Sequence, residues 1–153
     1  MAFEKNGDPS PKSILADSIE DLKEITLEYP VIVKPTDRSG SRGITKLSNA
    51  EGLADAIETA KKQGFEKKAL VEEFAEGQEY SVECISFHGQ HHFLAMTHKF
   101  TTGAPHFIET GHLEPAPVSE ETLEKELAEG AKYISSYQYK LKNIDYVVFI
   151  LEK

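Results

Sequence analysis

The sequence has almost no cysteine: Cys84 is the single one in 153 residues. That excludes an internal disulfide framework and suits a reducing compartment. Val82 and Ile85 flank Cys84 closely, so it reads as a partly buried, inert thiol rather than a nucleophile. Long apolar runs are missing too, and none approaches the roughly 20 residues that cross a bilayer as a helix. The opening MAFEKNGDPSPKS lacks the apolar core of a secretory signal. These absences lead us to expect a cytoplasmic protein with no membrane partner. Positive charge is in the minority: 17 Lys and Arg stand against 26 Asp and Glu, a formal net charge of −9. Such a surface repels phosphate backbones and argues against nucleic acid as a partner. It leaves room for a small anion, which needs only a local pocket of backbone N–H groups and one or two cations. There is no internal repeat, no low-complexity tract and no GxxxxGK[ST] loop.

What is present is ordinary for a soluble globular chain, with 39% hydrophobic and 28% charged residues. The length suits one domain or two small lobes. Residues 1–17 carry Pro and Gly and read as an extended lead-in. Ser18 and Asp21 form an imperfect capping box ahead of IEDLKEITLE, which predicts a helix with Ile19, Leu22 and Ile25 as its apolar stripe. Val31–Val33 and Ile44–Leu47 predict two strands of a hairpin around a polar, Gly-rich loop at 36–43. Asn49 is the expected cap of a helix with Leu53, Ala56, Ile57 and Ala60 on its buried face, and Gly64 the expected C′ glycine. Ala69–Phe74 predicts a strand. Tyr80–His88 and His92–Phe100 predict a hairpin turning at Gly89-Gln90. Residues 101–118 read as a long ordered loop or lid. Ser119 caps a predicted helix over SEETLEKELAEGAKYISSY, and Tyr146–Leu151 closes the chain as a strand. Antiparallel strands mixed with helices make the expected class α+β.

Two constellations carry chemistry. In the first, Lys34 leaves a strand toward Ser39-Gly40-Ser41-Arg42-Gly43. Glycines let a backbone approach phosphate oxygens, and Ser and Arg add donors. The bland alternative, a solvated lysine beside a mobile hairpin tip, stands about level with it on these residues alone. In the second, the strand Leu70-Val71-Glu72-Glu73-Phe74-Ala75 ends in carboxylates and an aromatic, and the chain returns through Gly77 to Glu79. Such an edge can offer alternating C=O and N–H groups to a flat heterocycle, and a carboxylate can accept from a ribose diol. An acidic surface turn is the plainer reading. His88, His91 and His92 flank a turn with no Cys or paired carboxylate at ligand spacing, so a solvated turn is preferred to a metal site. The acidic run SEETLEKELAEG reads as a solvated helix face.

Taken together, YPVIVKP, SGSRG, LVEEFAEGQEYSVE, Lys99 and TGAPHFIETGHLEP resemble the ATP-grasp superfamily over roughly residues 7–143. The likeness is to its carboxylate–amine and amino-acid ligase branch, which also relates to carbamoyl-phosphate synthase large subunits and biotin carboxylases. It implies an α+β ATP-grasp fold with a small lobe over 18–75, whose mobile loop is 36–43, and part of a larger lobe over 76–153. It implies that Lys34 contacts the nucleotide's phosphates and adenine, and that Ser39, Gly40, Ser41, Arg42 and Gly43 close over the phosphates. Glu72 would face the adenine amino group, with the backbone of Glu73, Phe74 and Ala75 as hinge. Glu79 would bind the ribose, and Lys99 would be a second phosphate lysine. His106, Phe107, Glu109 and His112 fall where this branch shapes its acceptor pocket.

The implied chemistry is activation of a small carboxylate by ATP as an acyl phosphate, displacement of phosphate by an amine, and Mg2+ bridging the phosphates. The family's metal ligands are acidic residues and an asparagine near the C-terminal end of the grasp domain. Here Val148-Phe149 falls against the metal-binding strand, Asp145 and Glu152 are the nearest carboxylates, and the sequence supplies no metal ligand set. The expectation is therefore an incomplete grasp domain that binds ATP without turnover by itself. A non-catalytic nucleotide-binding or regulatory module and a ligand-free interaction domain are the alternatives, and homo-oligomerisation is left open.

Overall fold

The computed structural model describes residues 10–23, 26–87, 90–125 and 145–152. It divides into two compact units. One comprises Pro11–Ala75 and Thr101–Thr110, and is called here the loop unit; the other comprises Met1–Ser10, Glu76–Phe100 and Gly111–Lys153, the hairpin unit.

The loop unit is built on β1 (Ser13–Ala16), β2 (Val31–Pro35), β3 (Thr45–Leu47) and β4 (Ala69–Glu73), in the order β1-β4-β2-β3. All three pairings are antiparallel. Helix α1 (Leu53–Gln63) covers one face. Its apolar residues recur at helical spacing, and Leu53, Ala56, Ile57 and Ala60 are all buried, as the sequence predicts. They pack with Ala16, Val31, Val33, Ala69 and Val71 into one core. Val31↔Leu47 and Val33↔Val71 set the register, so alternate residues Ile32 and Lys34 of β2 point away from α1.

The N-terminal part differs from expectation. Ser13–Ala16, inside the stretch read as a lead-in, is a strand paired along β4. The helix expected from Ile19 is a single 3-10 turn, Ile19–Leu22, and residues 26–28 are irregular. Asp21 accepts the N–H groups of Asp17 (2.8 Å) and Ser18 (2.9 Å). Those backbone bonds, Ser18's first, hold its carboxyl below the usual range. The start signal is thus real, but Ile25 and Thr26 are β-branched and extend a helix poorly. Asn49 is not the cap of α1. Its Oδ1 accepts the Glu51 N–H in a local turn, and the cap position belongs to Gly52 at φ 77°. Gly64 is extended (φ −75°, ψ 151°) rather than left-handed, and its N–H donates to the Ala60 carbonyl.

The second sheet, most of it in the hairpin unit, holds β5 (Gly77–Phe87), β6 (Gln90–Thr101), β7 (Glu109–Leu113) and β8 (Asp145–Glu152), in the order β7-β6-β5-β8. Gln90 already pairs with Phe87, so it belongs to β6 rather than to the turn; Gly89 lies outside the described residues. A bulge between Glu83 and Cys84 leaves Leu94 without a register partner. Tyr80, Val82, Cys84 and Met96 form the core of this unit, with Ala116, Val118 and Leu123 against it. The segment expected as a lid contains β7. Ser119 Oγ accepts the Thr122 N–H at 3.1 Å and residues 120–125 are helical; the rest of that predicted helix lies outside the described residues. The α+β class with antiparallel sheets holds.

Ile57 is 1% exposed at the centre of the first core. Ile57→Ala should lower unfolding free energy by about 2–5 kcal/mol through lost transfer energy and a residual cavity. Urea titration of the full chain measures this; a loss below about 1 kcal/mol would mean α1 packs elsewhere.

Candidate functional site

In the loop unit, β2 and β4 bring Lys34 and Glu72 together. Ile32 is the register partner of Glu72, so Lys34 and Glu72 lie diagonally on the face away from α1. Lys34 Nζ meets Glu72 Oε1 at 2.5 Å, with side-chain exposures of 35% and 19%. The carboxylate keeps a half-desolvated ammonium satisfied, which a bare lysine there would lack. Lys46 of β3 pairs with Ile32 and therefore shares this face. Its ammonium sits 3.3 Å from the centroid of Phe74, whose ring is 5.7 Å from that of Phe107. Phe74 is thus held on two sides. Sequence reading missed Lys46, though its place two residues into a strand opposite Ile32 was the available signal.

The backbone at Glu73–Ala75 is partly engaged. The Glu73 N–H donates to Lys12 O and the Phe74 N–H to Pro30 O, each at 2.9 Å. Of these three residues, Ala75 has the N–H that no described backbone acceptor takes.

The loop from Thr36 to Gly43 has left-handed residues at Gly40 (φ 67°), Ser41 (φ 56°) and Gly43 (φ 74°). A Cβ on Gly43 would lie 2.9 Å from Gln63 Cβ and 3.1 Å from Pro35 Cγ, so this position takes glycine for space as well as for φ. Ser39, Gly40 and Arg42 are exposed. Ser41 Oγ donates to the Phe107 carbonyl at 2.8 Å, which ties the loop to residues 101–110. Phe107 itself is left-handed at φ 50°. His106 and Glu109, in the same segment, are exposed.

In the hairpin unit, Lys99 Nζ meets Glu79 Oε1 at 2.6 Å, with side-chain exposures of 12% and 32%. The same strands place Ser81, Glu83 and Thr97 in one network. Ser81 Oγ donates to Glu83 at 2.8 Å, and Thr97 Oγ1 lies 3.3 Å from Glu83 and 3.4 Å from Glu114. Alternation along β5 from Glu79 would have suggested this row. His112 is exposed.

Among the described residues no group of three or more His, Cys, Asp or Glu side chains could hold a metal ion. Val148 is the register partner of Ser81, and the side chains of β8 lie outside the described residues, as do His88 and the His91 side chain. No described helix is long and apolar enough to cross a membrane.

The chain belongs to the ATP-grasp family: residues 27–146 match its ATP-grasp domain. It is 43% identical over 73 residues to a D-alanine–D-alanine ligase of Chlorobaculum tepidum, which covers 46% of this chain and 20% of that protein. It is 29% identical over 120 residues to the D-alanine–D-alanine ligase of Thermosipho africanus, covering 71% of this chain and 31% of the relative. Among solved structures, an L-amino acid ligase from Bacillus licheniformis superposes with a TM-score of 0.81 at 24% identity, over 99% of this chain and 35% of that one. A biotin carboxylase from Campylobacter jejuni gives a TM-score of 0.81 at 18% identity, over 99% and 36%. The chain thus spans only a minor part of each of these proteins.

Cys84 is 9% exposed. Burial first, then the neighbouring Glu83 carboxylate, pushes its thiol pKa up. Less thiolate is therefore present than in an exposed thiol at the same pH. In native protein at pH 8 the thiol should react with Ellman's reagent at least about tenfold more slowly than in urea. Equal rates would show the thiol to be open.

Proposed function

We propose that the loop unit grips ATP for the ligation of a small-molecule carboxylate to an amine. The observation that carries this reading is the Lys34–Glu72 pair at 2.5 Å on the face away from α1, in a unit that also holds the Gly-rich loop. Lys34 would turn from Glu72 toward the phosphates, and Ser39, Gly40, Ser41, Arg42 and Gly43 would supply donors around them. Glu72, with the backbone of Glu73, Phe74 and Ala75, would read adenine. Glu79 and Lys99 keep the ribose and phosphate roles that the resemblance assigns them, and His106, Phe107, Glu109 and His112 the acceptor pocket. The relatives named above support the ligase class, and the reaction would run through an acyl phosphate displaced by the amine. ATP-grasp ligases generally use Mg2+ with ATP. The described residues do not form a metal site. A cytoplasmic setting fits the cofactor.

ATP or ADP should bind the full chain in the micromolar-to-millimolar range, about −8 to −4 kcal/mol. Lys34→Ala should weaken it by about tenfold, at the low end for a charged hydrogen bond because Lys34 must first leave Glu72. Titration calorimetry measures both; no heat and no thermal shift at several millimolar nucleotide would sink the reading.

ATP should also outcompete GTP. Glu79→Ala should weaken ATP, since the ribose contact is lost, while inorganic triphosphate should bind no more weakly, since the change also releases Lys99 from its carboxylate. Parallel losses for the two ligands would show that Glu79 acts on folding.

A further inference from the structure

We infer that Asp37 is a positioning residue: it fixes the entry of the phosphate loop onto the turn that follows α1, so that only the stretch up to Arg42 is left to move. The inference rests on the nucleotide reading above for its functional part, and on geometry for the rest. Asp37 Oδ1 accepts the Phe65 N–H at 3.0 Å, and its Oδ2 accepts the Glu66 N–H at 2.6 Å. Both oxygens are used, by two consecutive backbone donors just past the end of α1. The next residue is held on the same turn. The Arg38 guanidinium lies 4.5 Å over the Phe65 ring, and its Nε is buried with no described partner. Phe65 is 75% exposed, so its ring lies at the surface and gains little from burial there. Stacking beneath Arg38 gives that exposed ring a role.

The exit of the loop is held by the same helix end. Gly43 sits so near Gln63 and Pro35 that a Cβ has no room. Entry and exit are thus both seated on residues 63–66. Between them, Ser39, Gly40 and Arg42 are exposed, and Ser41 Oγ bonds the Phe107 carbonyl. This arrangement separates the two arginines. Arg38 is a structural clamp, whereas Arg42 stands free of ion pairs with the described residues and can meet an anion. Short anchored ends restrict the conformations open to the tip, so less ordering entropy opposes closure over phosphates.

The test uses Asp37→Asn in the full chain. Asparagine keeps the shape but offers one acceptor oxygen, so one of the two N–H bonds is lost. Trypsin supplies a readout that needs no nucleotide. In the wild type, cleavage after Arg42 should exceed cleavage after Arg38. In the variant, cleavage after Arg38 should rise about tenfold, the factor for one charge-assisted bond. Calorimetry supplies the second readout. ATP affinity should fall about tenfold while adenosine affinity is unchanged, because the strand edge that would read the base is untouched. Unchanged cleavage after Arg38, or equal losses for ATP and adenosine, overturns the assignment. If the wild type binds neither ligand, the nucleotide reading fails, while the trypsin result still decides the anchor. Should the variant not fold, amide exchange on the wild type decides: slow Phe65 and Glu66 amides support the anchor, and exchange at unprotected rates removes it.

Discussion

The register of β2 on β4 is the constraint on which the loop unit depends. Val33 opposite Val71 puts both at 0% exposure beneath α1. The same register leaves Lys34 and Glu72 on the other face. A slip of one residue would drive the ammonium into the apolar core and turn Val33 outward. That slip costs burial of several aliphatic side chains and desolvation of a charge at once. Core packing therefore fixes the position of the cation without any contact made for that purpose.

How far this was legible in the sequence varies with the physics of each element. Helix α1 was legible because Leu53, Ala56, Ile57 and Ala60 repeat at the helical period and all face one core. Strands β2 and β4 were legible as short β-branched or aliphatic runs. Strand β1 was not: four residues at the sheet edge, with only Ala16 buried, give no alternation to detect. Strand β7 was hidden for a related reason, since Glu109–Leu113 is exposed at every position but Gly111. Nothing apolar repeats there, and pairing with the sheet alone makes it a strand. At Asn49 the chemistry of a cap was present, but an asparagine makes the same bond within a turn, and the glycine three residues later took the cap.

The candidate site shows the same split. Lys34, Glu72, Glu79 and Lys99 were singled out in the sequence as four separate residues. Their pairing, Lys34 with Glu72 and Lys99 with Glu79, follows from cross-strand geometry that no linear spacing states. Asp37 and Lys46 escaped notice because their partners are backbone N–H groups at 65 and 66 and an aromatic ring at 74. Backbone donors leave no mark in residue type, and the ring that Lys46 meets lies past the end of β4, far from it in sequence.

Pairing each lysine with a carboxylate also suits a chain with a net charge of −9. Lys34 and Lys99 are both partly withdrawn from water, and an unpaired ammonium so placed would lose hydration with nothing in return. The carboxylate restores a partner in the empty state and leaves the cation in place. On the proposed reading, an incoming phosphate competes with that carboxylate rather than with bulk water. The net gain is then the difference between two charged contacts, smaller than either one. An anion with several oxygens and bonds to the loop can win that exchange, and a single carboxylate or inorganic phosphate gains far less. Selectivity for a polyphosphate would come from this competition as much as from any added contact.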